Sequence, residues 1–168
     1  LSRGLGDVYK RQQIEELGNI ETPIILTNTL SIGTACNGLI KYMLSENEDI
    51  GDTTGTVNPI VLECNDGFLN DIRSFYLKEE HVLDAIKNAK KIFDEGSVGA
   101  GTGMSCYQLK GGIGSSSRII KLDEKEYTVG SLVLSNFGLK EDLMINGEKL
   151  IKETFDDEIL ELEKGSII

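Results

Sequence analysis

The spacing of apolar residues changes part-way along this chain, and that change restricts the architectures open to it. From Ser31 onward, Ile32, Ala35, Cys36, Leu39, Ile40 and Met43 recur at three- and four-residue steps, the signature of a helix with one apolar stripe. Ser31 stands where an N-cap belongs. A second stripe, Val82, Leu83, Ile86, Ala89 and Phe93, predicts a helix over Lys78–Phe93. Glu79 and Glu80 suit its N-terminus, Lys90 and Lys91 its C-terminus, and Gly96 a stop. Pro23–Leu30 and Pro59–Cys64 read as short strands, separated from one another by the first helix and a polar loop over Ser45–Asn58. After Gly96 the helical period is lost. Met104–Leu109, Arg118–Leu122 and Tyr127–Asn136 read as strands, the last being the clearest. Leu143–Leu150 reads as a hairpin turning at Asn146-Gly147. Thr154–Lys164 is acidic and reads as an exposed connector, after which Gly165–Ile168 opens a new apolar strand. Strands that first alternate with helices and then follow one another predict a mixed α/β layered domain.

Charge and composition exclude several functions. A net charge of -11 repels phosphate backbones, so no nucleic-acid partner is expected. No apolar run approaches the ~20 residues of a membrane span. The three cysteines, Cys36, Cys64 and Cys106, form no CxxC and read as free thiols of a reducing compartment. His81 is the single histidine, which argues against a multi-histidine metal site or a catalytic triad. Neither a metal nor a cofactor is expected. Residues 1–12 carry no initiator Met and no apolar signal-peptide core. They resemble translated adapter sequence and are set apart as a non-native segment, the native chain becoming legible near Gln13. A cytoplasmic location is expected, with export left open because any targeting signal would lie upstream.

Four places could carry chemistry. Gly99–Gly103 and Gly111–Gly114 are glycine-rich, but no Gly-Lys-Ser/Thr follows and a strand comes next rather than a helix. Tight turns or close backbone packing are therefore favoured over phosphate binding. Glu63-Cys64-Asn65-Asp66-Gly67-Phe68-Leu69-Asn70-Asp71 gathers acids and amides at a strand end, and on spacing alone reads as an Asx-rich turn with solvated charges. Asn136 closes the long strand. Its amide could donate to a developing oxyanion or cap the following turn. Gly165-Ser166, after an acidic connector and at the head of an apolar strand, suits a self-cleaving junction. Serine can attack the carbonyl before it, glycine tolerates the strained dihedrals, and the new α-amine, with a pKa of ~7.7–8.0, can serve as base without a histidine.

Several stretches together resemble the L-aminopeptidase/D-esterase and β-peptidyl aminopeptidase family, the P1-type peptidases. They are QIEELGNIETPIILTNTLSIGT (13–34), IGDTTGTVNPIVLECNDGFLNDIR (50–73), EEHVLDAI (79–86), VGAGTGMSCYQLKGGIGSSSR (98–118), YTVGSLVLSNFG (127–138) and GSII (165–168). The resemblance implies an αββα sandwich, incomplete here at both ends, and a precursor that cleaves itself at Gly165–Ser166. It makes residues 13–165 part of the large subunit and 166–168 the start of the small one. It implies Ser166 as nucleophile, Asn136 as oxyanion-hole amide and Glu63 as the carboxylate that receives the substrate's free amino group. Asn65 or Phe68 stands near the place of a tyrosine found in some members. The implied substrates are small peptides, amides or esters. The implied partners are the small subunit, which holds an orienting serine and glutamate, and further copies in a homo-oligomer. Alone, the chain is expected to be inactive. Two other readings compete: an acyltransferase of the ornithine acetyltransferase-like fold, whose usual nucleophile is threonine, and a non-catalytic nucleotide-binding module on the glycine loops.

Overall fold

The structure is a computed structural model that describes residues 14–16 and 18–149, with the backbone of Ser166 and Ile167. The expected connector Thr154–Lys164, residues 1–12 and Gly165 lie outside the described residues. The chain divides into two compact units. The first comprises the described part of Leu1–Thr27 with Ser31–Leu62 and Phe75–Lys91. The second comprises Asn28–Leu30, Glu63–Ser74 and the described part of Ile92–Ile168. Helices and strands are mixed, as an α/β class requires.

The first unit is built on two amphipathic helices, α1 (Ile32–Glu46) and α2 (Glu79–Lys87). Their stripes, with Val61, make a core in which Ala35, Leu39, Val61 and Val82 are buried, and Ile25, Ile32, Cys36, Met43 and Ile86 pack against it. Gly38 lets the helices approach: a Cβ there would lie 3.0 Å from the Val82 Cβ. Strands β1 (Ile24–Asn28) and β2 (Ile60–Cys64) pair with each other. The start of β2 is fixed where Ile60 N–H donates to Thr22 Oγ1 at 3.2 Å.

Helix ends differ from the sequence pattern for a local reason. Ser31 occupies the N-cap position of α1 but makes no side-chain capping bond. The helix includes Ser45 and Glu46, taking two residues from the expected loop, and stops where the Asn47 backbone N–H and Nδ2 both reach Met43 O. In the same way Asn88 ends α2, its backbone N–H and Nδ2 both directed at Asp84 O. An asparagine whose side chain bonds the carbonyl four residues back competes with the backbone and favours a stop over continuation. The helix therefore ends short of Phe93, leaving Ile92 at 87% exposure. His81 caps the other end by accepting the Lys78 backbone N–H at Nδ1, 3.1 Å away.

The second unit is mostly β. The short strands β3 (Ser105–Cys106) and β4 (Leu109–Lys110) form a hairpin. The expected single strand over Met104–Leu109 is corrected to this reversal, which Tyr107 and Gln108 make with φ of 52° and 59°, the pair of positive values that a two-residue hairpin turn requires. Strands β5 (Gly112–Leu122) and β6 (Lys125–Asn136) form a long antiparallel ribbon from Gly112↔Ser135 to Leu122↔Lys125. The glycine–serine run is thus strand rather than a lead-in to one. Strands β7 (Met144–Ile145) and β8 (Glu148–Lys149) turn at Asn146-Gly147 as expected, with φ of 53° and 86°. Strand β9 (Ser166–Ile167) lies on the other side of β6 from β5.

The glycine clusters serve close packing. Gly96 exchanges two backbone hydrogen bonds with Ile113, at 2.7 and 2.9 Å, and buried Gly101 lies against that pair. A Cβ on Gly101 would sit 2.4 Å from Gly96 O and 2.9 Å from Ile113 N, whereas one on Gly114 would meet nothing within 4 Å. Gly101→Ala should therefore lower the unfolding free energy by about 3 kcal/mol or more through overpacking of rigid backbone. Gly114→Ala should stay within about 1 kcal/mol of the parent. Urea denaturation of the two variants provides the comparison.

Candidate active site

The end of β6 is where the candidate residues converge. Asn136 is buried, at 9% exposure, and its amide is held at both ends. Oδ1 accepts the Ser105 backbone N–H at 3.0 Å, and Nδ2 donates to Asn65 O at 2.6 Å. The side chain thus bridges two loops instead of capping the turn at Phe137-Gly138. A primary amide carries two N–H donors. The bond to Asn65 takes one, and the other has no partner among the described residues. Beyond Asn136, the Phe137 and Tyr107 rings pack with centroids 5.0 Å apart, and Tyr107 N–H donates to Phe137 O at 2.6 Å. This contact fixes the β3–β4 turn against the end of β6.

Strand pairing brings the proposed nucleophile position to the same point. In the β6–β9 register, Ser166 lies opposite Asn136 and Ile167 opposite Ser135. The structure thus brings together Asn65, Asn136 and the backbone of Ser166, residues far apart in the chain. Gly165 lies outside the described residues.

Glu63 and Asn65 follow from the way β2 ends. Glu63 is half-buried, and its carboxylate accepts a hydrogen bond from Thr29 Oγ1. Asn65 is exposed, and its Oδ1 accepts the Gly67 N–H at 2.9 Å, closing an Asx turn. Phe68 is half-exposed on the same turn.

Asp66 corrects the expectation that this turn carries only solvated charges. It is buried at 5% exposure. Its Oδ2 accepts from Asn28 Nδ2 at 3.2 Å and Asn70 Nδ2 at 2.9 Å, while buried Oδ1 has no hydrogen-bond partner. Its carbonyl also accepts the Leu69 and Asn70 N–H groups. Gly103 packs so tightly here that a Cβ would lie 2.7 Å from the Asp66 Cβ. Asp66 therefore anchors the turn that presents Asn65 O to Asn136. The four-residue spacing to Asn70 was visible in the sequence, but nothing there distinguishes a buried carboxylate from a solvated one. Among the described residues no group of three or more His, Cys, Asp or Glu is placed to hold a metal ion, and no helix is long and apolar enough to cross a membrane.

Comparison with known proteins identifies the family and the fold. The family model for peptidase family S58 matches residues 2–168. The β-peptidyl aminopeptidase BapA of Sphingosinicella microcystinivorans is 37% identical over 153 residues, covering 90% of this chain and 38% of that protein. The PH0078 protein of Pyrococcus horikoshii OT3 superposes with a TM-score of 0.80 at 66% identity, over 83% of this chain and 40% of that one. The L-aminopeptidase D-Ala-esterase/amidase of Ochrobactrum anthropi, described as a prototype of the serine aminopeptidases and a variant of the Ntn hydrolase fold, superposes with a TM-score of 0.79 at 34% identity. That match covers 86% of this chain and 41% of the other. The chain therefore has the fold of the corresponding part of these structures and spans about two fifths of their length.

The anchoring role of Asp66 is open to measurement. Asp66→Ala removes the acceptor that the Asn28 and Asn70 side chains share and should cost about 1–3 kcal/mol. Asp66→Asn keeps one oxygen for both amides and should cost clearly less. Urea midpoints of both variants decide the order.

Proposed function

Because the chain belongs to peptidase family S58, we propose that it is part of a self-processing serine aminopeptidase that removes N-terminal residues from small peptides, amides or esters. The observation that carries this reading is the register that sets Ser166 opposite Asn136, beside an amide already oriented at both ends. In this reading residues 13–165 belong to the large subunit and residues 166–168 open the small one.

Maturation and turnover use the same groups. Ser166 Oγ attacks the Gly165 carbonyl and the Gly165–Ser166 C–N bond breaks. That cleavage frees the α-amine of Ser166, which takes up the hydroxyl proton, and leaves Gly165 esterified to Oγ. Water then hydrolyses the ester, releasing the Gly165 carboxylate and restoring the Ser166 hydroxyl. In turnover, Oγ attacks the substrate carbonyl while that α-amine takes the hydroxyl proton. It is suited to this by an ordinary pKa of ~7.7–8.0. The second N–H of Asn136 Nδ2 donates to the oxyanion. The leaving amine or alcohol departs with the proton, and water releases the acyl group. Glu63 pairs with the free ammonium of the substrate. The names of the Sphingosinicella and Ochrobactrum relatives support aminopeptidase chemistry. A homo-oligomer located in the cytoplasm completes the proposal.

In a chain continued past Ile168 to the full length of these relatives, the polypeptide should split in two at Gly165–Ser166, and Ser166→Ala should stay whole. A Ser166→Ala chain that still splits at that bond overturns the mechanism. In the processed enzyme, Asn136→Ala should lower kcat for an amino-acid amide by about 10²–10³ with little change in KM.

A further inference from the structure

Lys110 has a role that the mechanism above does not use. Its Nζ donates to three main-chain carbonyls: Gly101 O at 2.9 Å, Met104 O at 3.2 Å and Gly111 O at 2.6 Å. An ammonium has three N–H groups and no acceptor capacity, so this cage uses all of its donors. Lysine usually extends its charge into water. Here it folds back over a turn already closed by the Gly111 N–H bond to Met104 O at 2.8 Å. Lys110 is also the backbone partner of Ser105 in the β3–β4 ladder.

One of the caged carbonyls leads directly to Asn136. Met104 C=O and Ser105 N–H are the two ends of a single peptide group. Its oxygen faces the Lys110 ammonium, and its N–H donates to Asn136 Oδ1 at 3.0 Å. A cation at the oxygen of an amide draws electron density from the nitrogen and strengthens the N–H as a donor. Hydrogen bonds in series polarise one another in this way. The stronger Ser105 donor in turn polarises the Asn136 amide, making its Nδ2–H groups better donors. Met104, at the centre of this path, is fully buried.

We propose that Lys110 is a positioning residue that fixes and polarises the Asn136 amide through the Met104–Ser105 peptide. The inference deepens the assignment of Asn136 as oxyanion donor and rests on it for its catalytic meaning, while the relay itself is independent of any activity. Although Lys110 is exposed, its charge acts on an acceptor-to-donor chain of two amides, and the second donates where negative charge develops.

The test uses the chain as it stands, with 15N labelling. Lys110→Met keeps the side-chain length and removes the charge. It should move the Ser105 amide proton and the Asn136 side-chain protons upfield and speed exchange of the latter by about tenfold, as weaker hydrogen bonds require. In Lys110→Ala, added n-propylammonium should restore both signals, whereas tetramethylammonium, which has no N–H, should not. Unchanged Asn136 side-chain signals in folded Lys110→Met overturn the proposal. If Lys110→Met fails to fold, absence of propylammonium rescue in Lys110→Ala overturns it instead. In the full-length processed enzyme, Lys110→Met should lower kcat by about tenfold at constant KM, less than deletion of the Asn136 donor itself. A positive NMR result with an inactive parent enzyme would refute the peptidase reading and leave the relay standing.

Discussion

The site depends on one buried amide being satisfied at both ends. A side-chain amide in a dry environment is costly when any of its groups lacks a partner. Asn136 meets most of that cost by bridging, with Ser105 N–H on its oxygen and Asn65 O on one of its two N–H groups. Two loops separated by a long stretch of chain are thereby tied to the last residue of β6. Each loop is itself held by a charge. Asp66 gathers two asparagine side chains under one, and Lys110 gathers three carbonyls under the other. The charges are opposite, and neither has an ion-pair partner of its own among the described residues. Amide groups meet one carboxylate oxygen of Asp66 and the Lys110 ammonium, which keeps the surroundings of Asn136 polar and ordered.

Much of the architecture could be read from the chain. The stripes of α1 and α2 locate the first core because a helical period of apolar residues has few other uses. Asn146-Gly147 marks its hairpin because positive φ is inexpensive there. Two reversals are less legible in the sequence, because nonlocal contacts hold them. Tyr107-Gln108 and Asp123-Glu124 adopt positive φ without glycine or asparagine. The long register of β5 with β6 holds the second pair, and the Tyr107–Phe137 contact holds the first. The length of α2 was misjudged because Asn88 provides its own stop, a competition that periodicity does not register.

Recognition of the site divides along the same line. Asn136, Glu63 and Ser166 stand out as candidates because their residue types and the resemblance point to known chemistry. Asp66 and Lys110 were not, because a carboxylate in an Asx-rich turn and a lysine before two glycines look solvated in one dimension. Their roles come from burial and from backbone carbonyls, which sequence composition does not encode.

The pairing of β9 with β6 has one more consequence. Side chains alternate faces along a strand, so a strand is meaningful only in one parity. A slip of a single residue would present Ile167 rather than Ser166 to Asn136 and reverse the face of every residue that follows. The ladder thus sets the parity of the strand: one alignment places Ser166 across from Asn136, and the neighbouring one turns the opposite face to it.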